Sequence, residues 1–161
     1  MEREAFQEAA ARYQDMVYRI ALHQTGNPAD GEDAVQEVFL KLFTCSVPFE
    51  GEDHLRRWLI RVTVNHCRDL QRSPWKRRRV SLDTLPVEPS FQEPEQAELY
   101  REVMALPEKY RTVLDLFYYE ELSVREIAEI LGIRTTAVTT RLSRARTKLK
   151  ERLAEVWNDD E

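Results

Sequence analysis

"LSVREIAEILGIRTTAVTTRLSRARTKLK", Leu122–Lys150, is the stretch whose reading decides the fold of this chain. Ser123 opens S-V-R-E, a pattern in which the serine caps the amide of Glu126 and Glu126 reaches back. Ile127, Ala128 and Leu131 then make one apolar face. Gly132 permits the left-handed conformation that ends a helix, and Ile133 plugs the turn. Beyond it, Val138, Leu142, Ala145 and Leu149 fall within about 60° of one another at roughly 100° per residue. The opposite arc carries Thr136, Thr139, Thr140, Ser143, Arg144 and Thr147, flanked by Arg141 and Lys148. This is the pattern of a helix-turn-helix, whose second helix enters the major groove of DNA. Thr136, Thr139 and Thr140, with Thr135 beside them, are expected to meet bases, and Arg141, Arg144 and Lys148 to hold phosphates. A solvated basic helix in an ordinary bundle is the plainer alternative. The capping box, the glycine turn and the one-sided hydroxyl arc together favour DNA.

A basic helix sits oddly in a chain of 161 residues with a formal charge of -5. The charge, however, is distributed in blocks. Residues 1–53 carry 4 Lys/Arg against 11 Asp/Glu, and residues 54–80 carry 9 against 1. Residues 81–102 return to 1 against 6, and residues 122–153 to 8 against 3. Affinity for nucleic acid follows local phosphate neutralisation, so two basic islands suffice despite the acidic total.

Four glycines and long charged, periodic stretches point to an all-α chain. No run approaches the roughly 18 apolar residues of a membrane span. "MEREAFQEAA" lacks the basic-then-apolar plan of a signal peptide, so a cytoplasmic location is expected. Cys45 and Cys67 form no CxxC pair, and with His23, His54 and His66 they show no zinc spacing. Neither metal nor cofactor is expected, and no carboxylate constellation suggests an enzyme.

Two small helical modules on a flexible tether are expected, with boundaries at 1–78, 79–96 and 97–156. Phe6, Ala10, Tyr13, Val17 and Ile20 lie at helical spacing, and "TGNP" stops that helix. Asn27 and Pro28 then suit the start of a second helix, whose core stripe is Val35, Val38, Phe39 and Leu42. Its outward face joins Asp33, Gln36 and Glu37 to Leu40. An acidic face with a central apolar anchor suits a protein partner that carries a basic helix.

After the loop "TCSVPFEGED", a third helix is predicted from about Glu52 to Arg72. Leu55, Trp58, Leu59, Val62 and Leu70 are assigned to its inner face. Arg57, Arg61, Arg68 and Arg72 gather on the opposite face, with Asn65 at its border. "PWKRRR" extends this basic track. An arginine stripe with an adjacent amide suits backbone tracking and a few polar base contacts, single strands included. "SLDTLPVEPSFQEPEQ" has no periodicity and reads as a linker. "AELYREVMAL" and "PEKYRTVLDLFYY" read as two further helices before the helix-turn-helix.

"DGEDAVQEVFLKLF", "HLRRWLIRVTVNHCRDLQRS" and "LPEKYRTVLDLFYYEELSVREIAEILGIRTTAVTTRLSRARTKL" together resemble an extracytoplasmic-function sigma factor of bacterial RNA polymerase, over nearly all of residues 5–155. The resemblance implies a chain that recruits core polymerase to promoters and helps melt them. The first module is then region 2, binding the clamp helices of the largest subunits through Asp33, Gln36, Glu37 and Leu40. It is also implied to take the −10 element through Phe49, His54, Arg57, Arg61, Asn65, Arg68, Arg72, Lys76 and Arg77. The second module is region 4, which reads the −35 element and docks on the flap of the other large subunit. By family habit an anti-sigma factor is a further implied partner.

The chain departs from the family pattern at three places. Arg134 stands where the family often has a serine cap, Thr139-Thr140 where it often has Lys-Ser, and Glu50 where Arg often follows the loop phenylalanine. A stand-alone helix-turn-helix regulator is the alternative function. It shares Leu122–Leu149 but needs no arginine-striped helix in a separate module.

Overall fold

The computed structural model describes residues 1–72 and 94–159, with side chains placed for 1–72 and 96–156. The described residues form helices and no strand. The chain divides into two compact units, Met1–Val87 and Glu88–Glu161.

The first unit packs α1 (Arg3–Thr25), α2 (Pro28–Thr44) and α3 (Glu52–Arg72). Asn27 starts α2 by accepting the Ala29 N–H on its side-chain oxygen at 2.9 Å, with Pro28 in the first turn. Val17, Ile20 and Ala21 of α1 and Ala34, Val38 and Leu42 of α2 are all buried in the core of this unit. The two helices approach closely at Gly31, where an added Cβ would lie 2.9 Å from Cε2 of Tyr18. Any side chain there must displace the tyrosine ring. Gln24 ties α1 to α3: its amide nitrogen donates to the Val64 carbonyl at 3.2 Å, and Gln71 donates to the Gln24 carbonyl at 3.0 Å.

Two expected core stripes are corrected. On α2, Val35 is only half-buried, and Ala34 takes its place inside. On α3 the buried set is Leu55, Leu59, Ile60, Thr63, Val64, Cys67 and Leu70. Trp58 and Val62 are half-exposed shoulders. The buried arc is turned by about 90° from the expected one, at roughly 100° per residue. The reason is that α3 packs against both α1 and α2, so its core face is wider than one stripe. The hydroxyl of Thr63 enters that face because it donates to the Leu59 carbonyl at 2.6 Å.

The second unit runs α4 (Pro94–Met104), α5 (Glu108–Leu114), a π-helical stretch (Asp115–Tyr119), α6 (Val124–Leu131) and α7 (Thr135–Asp159). Residues 94–96, expected as linker, begin α4; the rest of that expected linker, with the basic run Pro74–Arg79, lies outside the described residues. Sequence periodicity predicts one unbroken α-helix through Tyr119. Instead it widens after Leu114, with the Glu120 N–H donating to the Asp115 carbonyl at 3.0 Å. Asp115 and Leu116 are turned in, while Tyr118 and Tyr119 are left exposed.

The capping box of α6 forms as the sequence predicts. Ser123 Oγ accepts the Glu126 N–H, and Glu126 accepts the Ser123 N–H, each at 3.1 Å. Loss of such a cap costs about 1 kcal/mol. Gly132, at φ 68°, ends α6 in the left-handed conformation. Val138, Leu142 and Ala145 are the buried face of α7, with Leu149 half-buried. Farther along, Arg152 Nε meets Glu102 at 2.7 Å and clamps α7 to α4.

Candidate nucleic-acid and polymerase interfaces

The helix-turn-helix leaves one arc of α7 open. Thr135, Thr136, Thr139, Thr140, Ser143, Arg144, Thr147 and Lys148 are exposed, and Arg141 is half-buried at the flank. Two neighbouring threonines nevertheless differ. Thr139 donates its hydroxyl proton to the Thr135 carbonyl at 3.0 Å. That leaves Thr139 a methyl and oxygen lone pairs to offer outward. Thr140 has no such bond among the described residues and keeps its proton to donate.

The start of α7 settles the cap question raised by Arg134. The Arg134 carbonyl accepts the Val138 N–H at 3.1 Å, so Arg134 occupies the cap position. A guanidinium has no acceptor and cannot cap the following amides through its side chain. Sequence reasoning treated Arg134 only as a departure from pattern. In the structure it lines, with Arg125, Thr135 and Thr136, an open groove of about 630 Å³ between α6 and α7. Arg125, on the α6 side of that groove, pairs with Glu129 at 3.7 Å.

Two basic side chains of α7, both exposed, also lie beside aromatic rings. Lys148 Nζ lies 5.8 Å from the Tyr110 ring centre. Arg146 sits 5.7 Å from the Phe117 ring centre and 5.4 Å from that of Tyr118, and its Nε donates to the Tyr118 hydroxyl. The π-helical stretch thus supplies the wall against which Arg146 is held.

In the first unit the segment between α2 and α3 folds onto α3. Phe49 makes edge-to-face contacts with His54, at 5.3 Å between ring centres, and with Trp58, at 5.5 Å. The Glu50 N–H donates to His54 Nδ1 at 3.1 Å, so the other ring nitrogen carries the proton when the ring is neutral. Glu50, Gly51, Asp53, His54 and Arg57 line an open concavity of about 390 Å³. Arg57 also pairs with Asp53 at 3.3 Å. Arg61, Asn65 and Arg72 are exposed along the same arc, and Arg68 is half-buried. Lys76 and Arg77 lie outside the described residues.

The beginning of α3 is anchored to α1. Glu52 accepts from the Tyr13 hydroxyl at 2.7 Å and pairs with Arg12 at 3.1 Å. The Tyr13 hydrogen bond, with Arg12 in support, holds the Glu52 carboxyl below its usual range, while burial pushes the Tyr13 phenol up.

On α2, Gln36 and Leu40 are exposed and Asp33 and Glu37 half-buried. Leu40 is 57% exposed and has a neighbour that sequence reasoning missed, Phe43 at 49%. The spacing of three residues was the available signal. Phe43 is steadied by Phe6, with ring centres 5.2 Å apart.

Among the described residues no His/Cys/Asp/Glu group is arranged for a metal ion. No described helix is long and apolar enough to cross a membrane.

Comparison with known proteins assigns both units. Residues 9–77 match the family "Sigma-70 region 2", and residues 96–149 match "Sigma-70, region 4". The chain is 28% identical to the ECF RNA polymerase sigma factor SigW of Bacillus subtilis, over 96% of this chain and 92% of that one. It is 30% identical to the RNA polymerase sigma factor SigV of the same organism, over 80% of this chain and 78% of that one. Among solved structures, CnrH in complex with the cytosolic domain of CnrY superposes with a TM-score of 0.60 at 28% identity, covering 96% of this chain and 90% of CnrH.

Proposed function

The chain belongs to the sigma-70 family, in its extracytoplasmic-function branch, and on that premise we propose how its residues direct RNA polymerase core to promoters for initiation. Asp33, Gln36, Glu37 and Leu40 form the face for core polymerase. Phe49, His54, Arg57, Arg61, Asn65, Arg68 and Arg72 take the −10 element, with Lys76 and Arg77 continuing the track. Thr135, Thr136, Thr139 and Thr140 read the −35 duplex, and Arg141, Arg144 and Lys148 hold its phosphates. The functional boundaries are 1–78 for region 2, 79–96 for the linker, whose last residues 94–96 are the first turn of α4, and 97–156 for region 4.

The chain works in the cytoplasm, performs no catalytic step of its own and uses no cofactor. CnrH forms a complex with the cytosolic domain of CnrY. A protein partner of this kind, an anti-sigma factor, is proposed for this chain too.

The observation that carries the reading is the pairing of two exposed basic arcs, on α3 and α7, with an apolar-and-acidic face on α2. A stand-alone regulator has use for the α7 arc only. The test is transcription by purified core polymerase on a promoter library randomised at both elements. The expected result is a set of specific transcripts that requires the chain and disappears with Leu40→Asp. Identical transcripts with and without the chain would overturn the reading.

A further inference from the structure

The cations assigned above to the phosphates of the −35 duplex share one flank of α7. Measured from the buried Val138 at roughly 100° per residue, Arg141, Lys148 and Arg144 lie about 60°, 80° and 120° to one side. A major groove has two phosphate-lined walls about 12 Å apart, and a helix seated in it passes between them. The other flank carries Arg146, about 80° from Val138 in the opposite sense. It stands about two turns beyond Thr139 on the same side of α7, roughly 10 Å farther along the axis.

Arg146 is exposed and yet held in place. Its Nε donates to the Tyr118 hydroxyl, and the guanidinium rests 5.7 Å from the Phe117 ring centre. Among the described residues no carboxylate pairs with it. The tyrosine takes one of the five N–H donors and leaves four on the two terminal nitrogens, the fork that grips a phosphate. Tyr118 is itself 55% exposed and comes shortly before Ser123, the cap of α6. In a helix-turn-helix that first helix crosses the DNA backbone.

We propose that Arg146 holds a backbone phosphate of the −35 element on the groove wall opposite Arg141 and Lys148, with Tyr118 as its positioning residue. A loose arginine gives up rotamer freedom when it binds, whereas one braced against Phe117 and Tyr118 has already lost it. The proposal rests on the assignment of α7 to the −35 duplex and adds the second wall to it.

Binding of holoenzyme, made with purified core polymerase, to a promoter duplex tests this. Holoenzyme assembly and thermal unfolding of each variant are the controls. Arg146→Ala is expected to lower the slope of log affinity against log salt by about 0.9, the value of one phosphate. Arg146→Lys keeps the charge and should retain the slope. Single methylphosphonate linkages, each removing one phosphate charge, are then walked along both strands. One linkage, on the wall opposite the one that Arg141 senses, is expected to weaken the unaltered chain and to leave Arg146→Ala indifferent. Tyr118→Phe is expected to weaken binding about threefold, and to add nothing in the Arg146→Ala background. An unchanged slope, with every linkage still felt by Arg146→Ala, overturns the proposal and leaves Arg146 a brace between α7 and the π-helical stretch. A loss confined to holoenzyme assembly also overturns it, since that flank then faces polymerase. Should Arg144→Ala leave the slope unmoved as well, the assignment of α7 to the −35 duplex falls with it.

Discussion

Helices α3 and α7 both display basic arcs, but they are built differently. α7 buries a narrow seam of Val138, Leu142 and Ala145, and everything opposite that seam faces out. α3 is enclosed on two sides, and its buried arc takes in Ile60, Thr63, Val64 and Cys67 as well as Leu55, Leu59 and Leu70. A helix with one neighbouring wall reveals its outer face by subtraction. One wedged between two partners conceals where the inside ends, and an arginine stripe is then the safer guide to the outside.

The largest expected effect tests the wedge. Ile60 is fully buried, whereas Val62 is a half-exposed shoulder. Ile60→Ala should cost about 2–5 kcal/mol of unfolding free energy, and Val62→Ala well under half of that. Denaturant titration of both variants measures the difference. Equal losses would restore the single-stripe face that spacing alone suggests.

A smaller effect separates the two threonines of α7. Thr140→Ala removes an outward donor and should shift the preferred −35 sequence, with a lost base contact worth ~1–3 kcal/mol. Thr139→Ala should shift it less, because that hydroxyl already donates to the Thr135 carbonyl. A randomised −35 library transcribed with each variant reads the ranking directly. A larger shift for Thr139→Ala would show that its methyl and lone pairs, and not a donated proton, do the reading.

The smallest effect lies at the root of α3. The folded state holds Glu52 below its ordinary value of 4.5, chiefly through Tyr13. Stability from this contact is therefore complete above that value and lost as pH falls through the lower, folded one. Tyr13→Phe removes the main cause, so the acid limb of unfolding followed by circular dichroism should begin at a higher pH. An unmoved limb would mean that Arg12 alone sustains the shift.

These contrasts show what was legible in the residues. The second unit's turn was readable because each of its signals is local: Ser123 and Glu126 are three apart, and Gly132 comes directly after Leu131. The exposed arcs of both basic helices were equally readable, since charge marks solvent without reference to a partner. The inner face of α3 was not, because Thr63 and Cys67 are ambiguous by type and only contact with two other helices settles them. Arg146 was passed over for a similar reason. Its partner Tyr118 lies 28 residues away in sequence, and no periodicity links the two.

The π-helical stretch from Asp115 to Tyr119 changes the helical phase of the residues after it. Leu116 and Leu122 are both buried, and the Leu122 N–H donates to the Leu116 carbonyl at 3.0 Å. On a regular helix two residues six apart would point about 240° from one another, at roughly 100° per residue. The wider turn, with Glu121 at φ 56° after it, brings both leucines to the inside. The stretch acts as one residue of slack between α5 and the helix-turn-helix. The wider turn therefore sets which side chains of the segment leading into α6 face the interior of this unit.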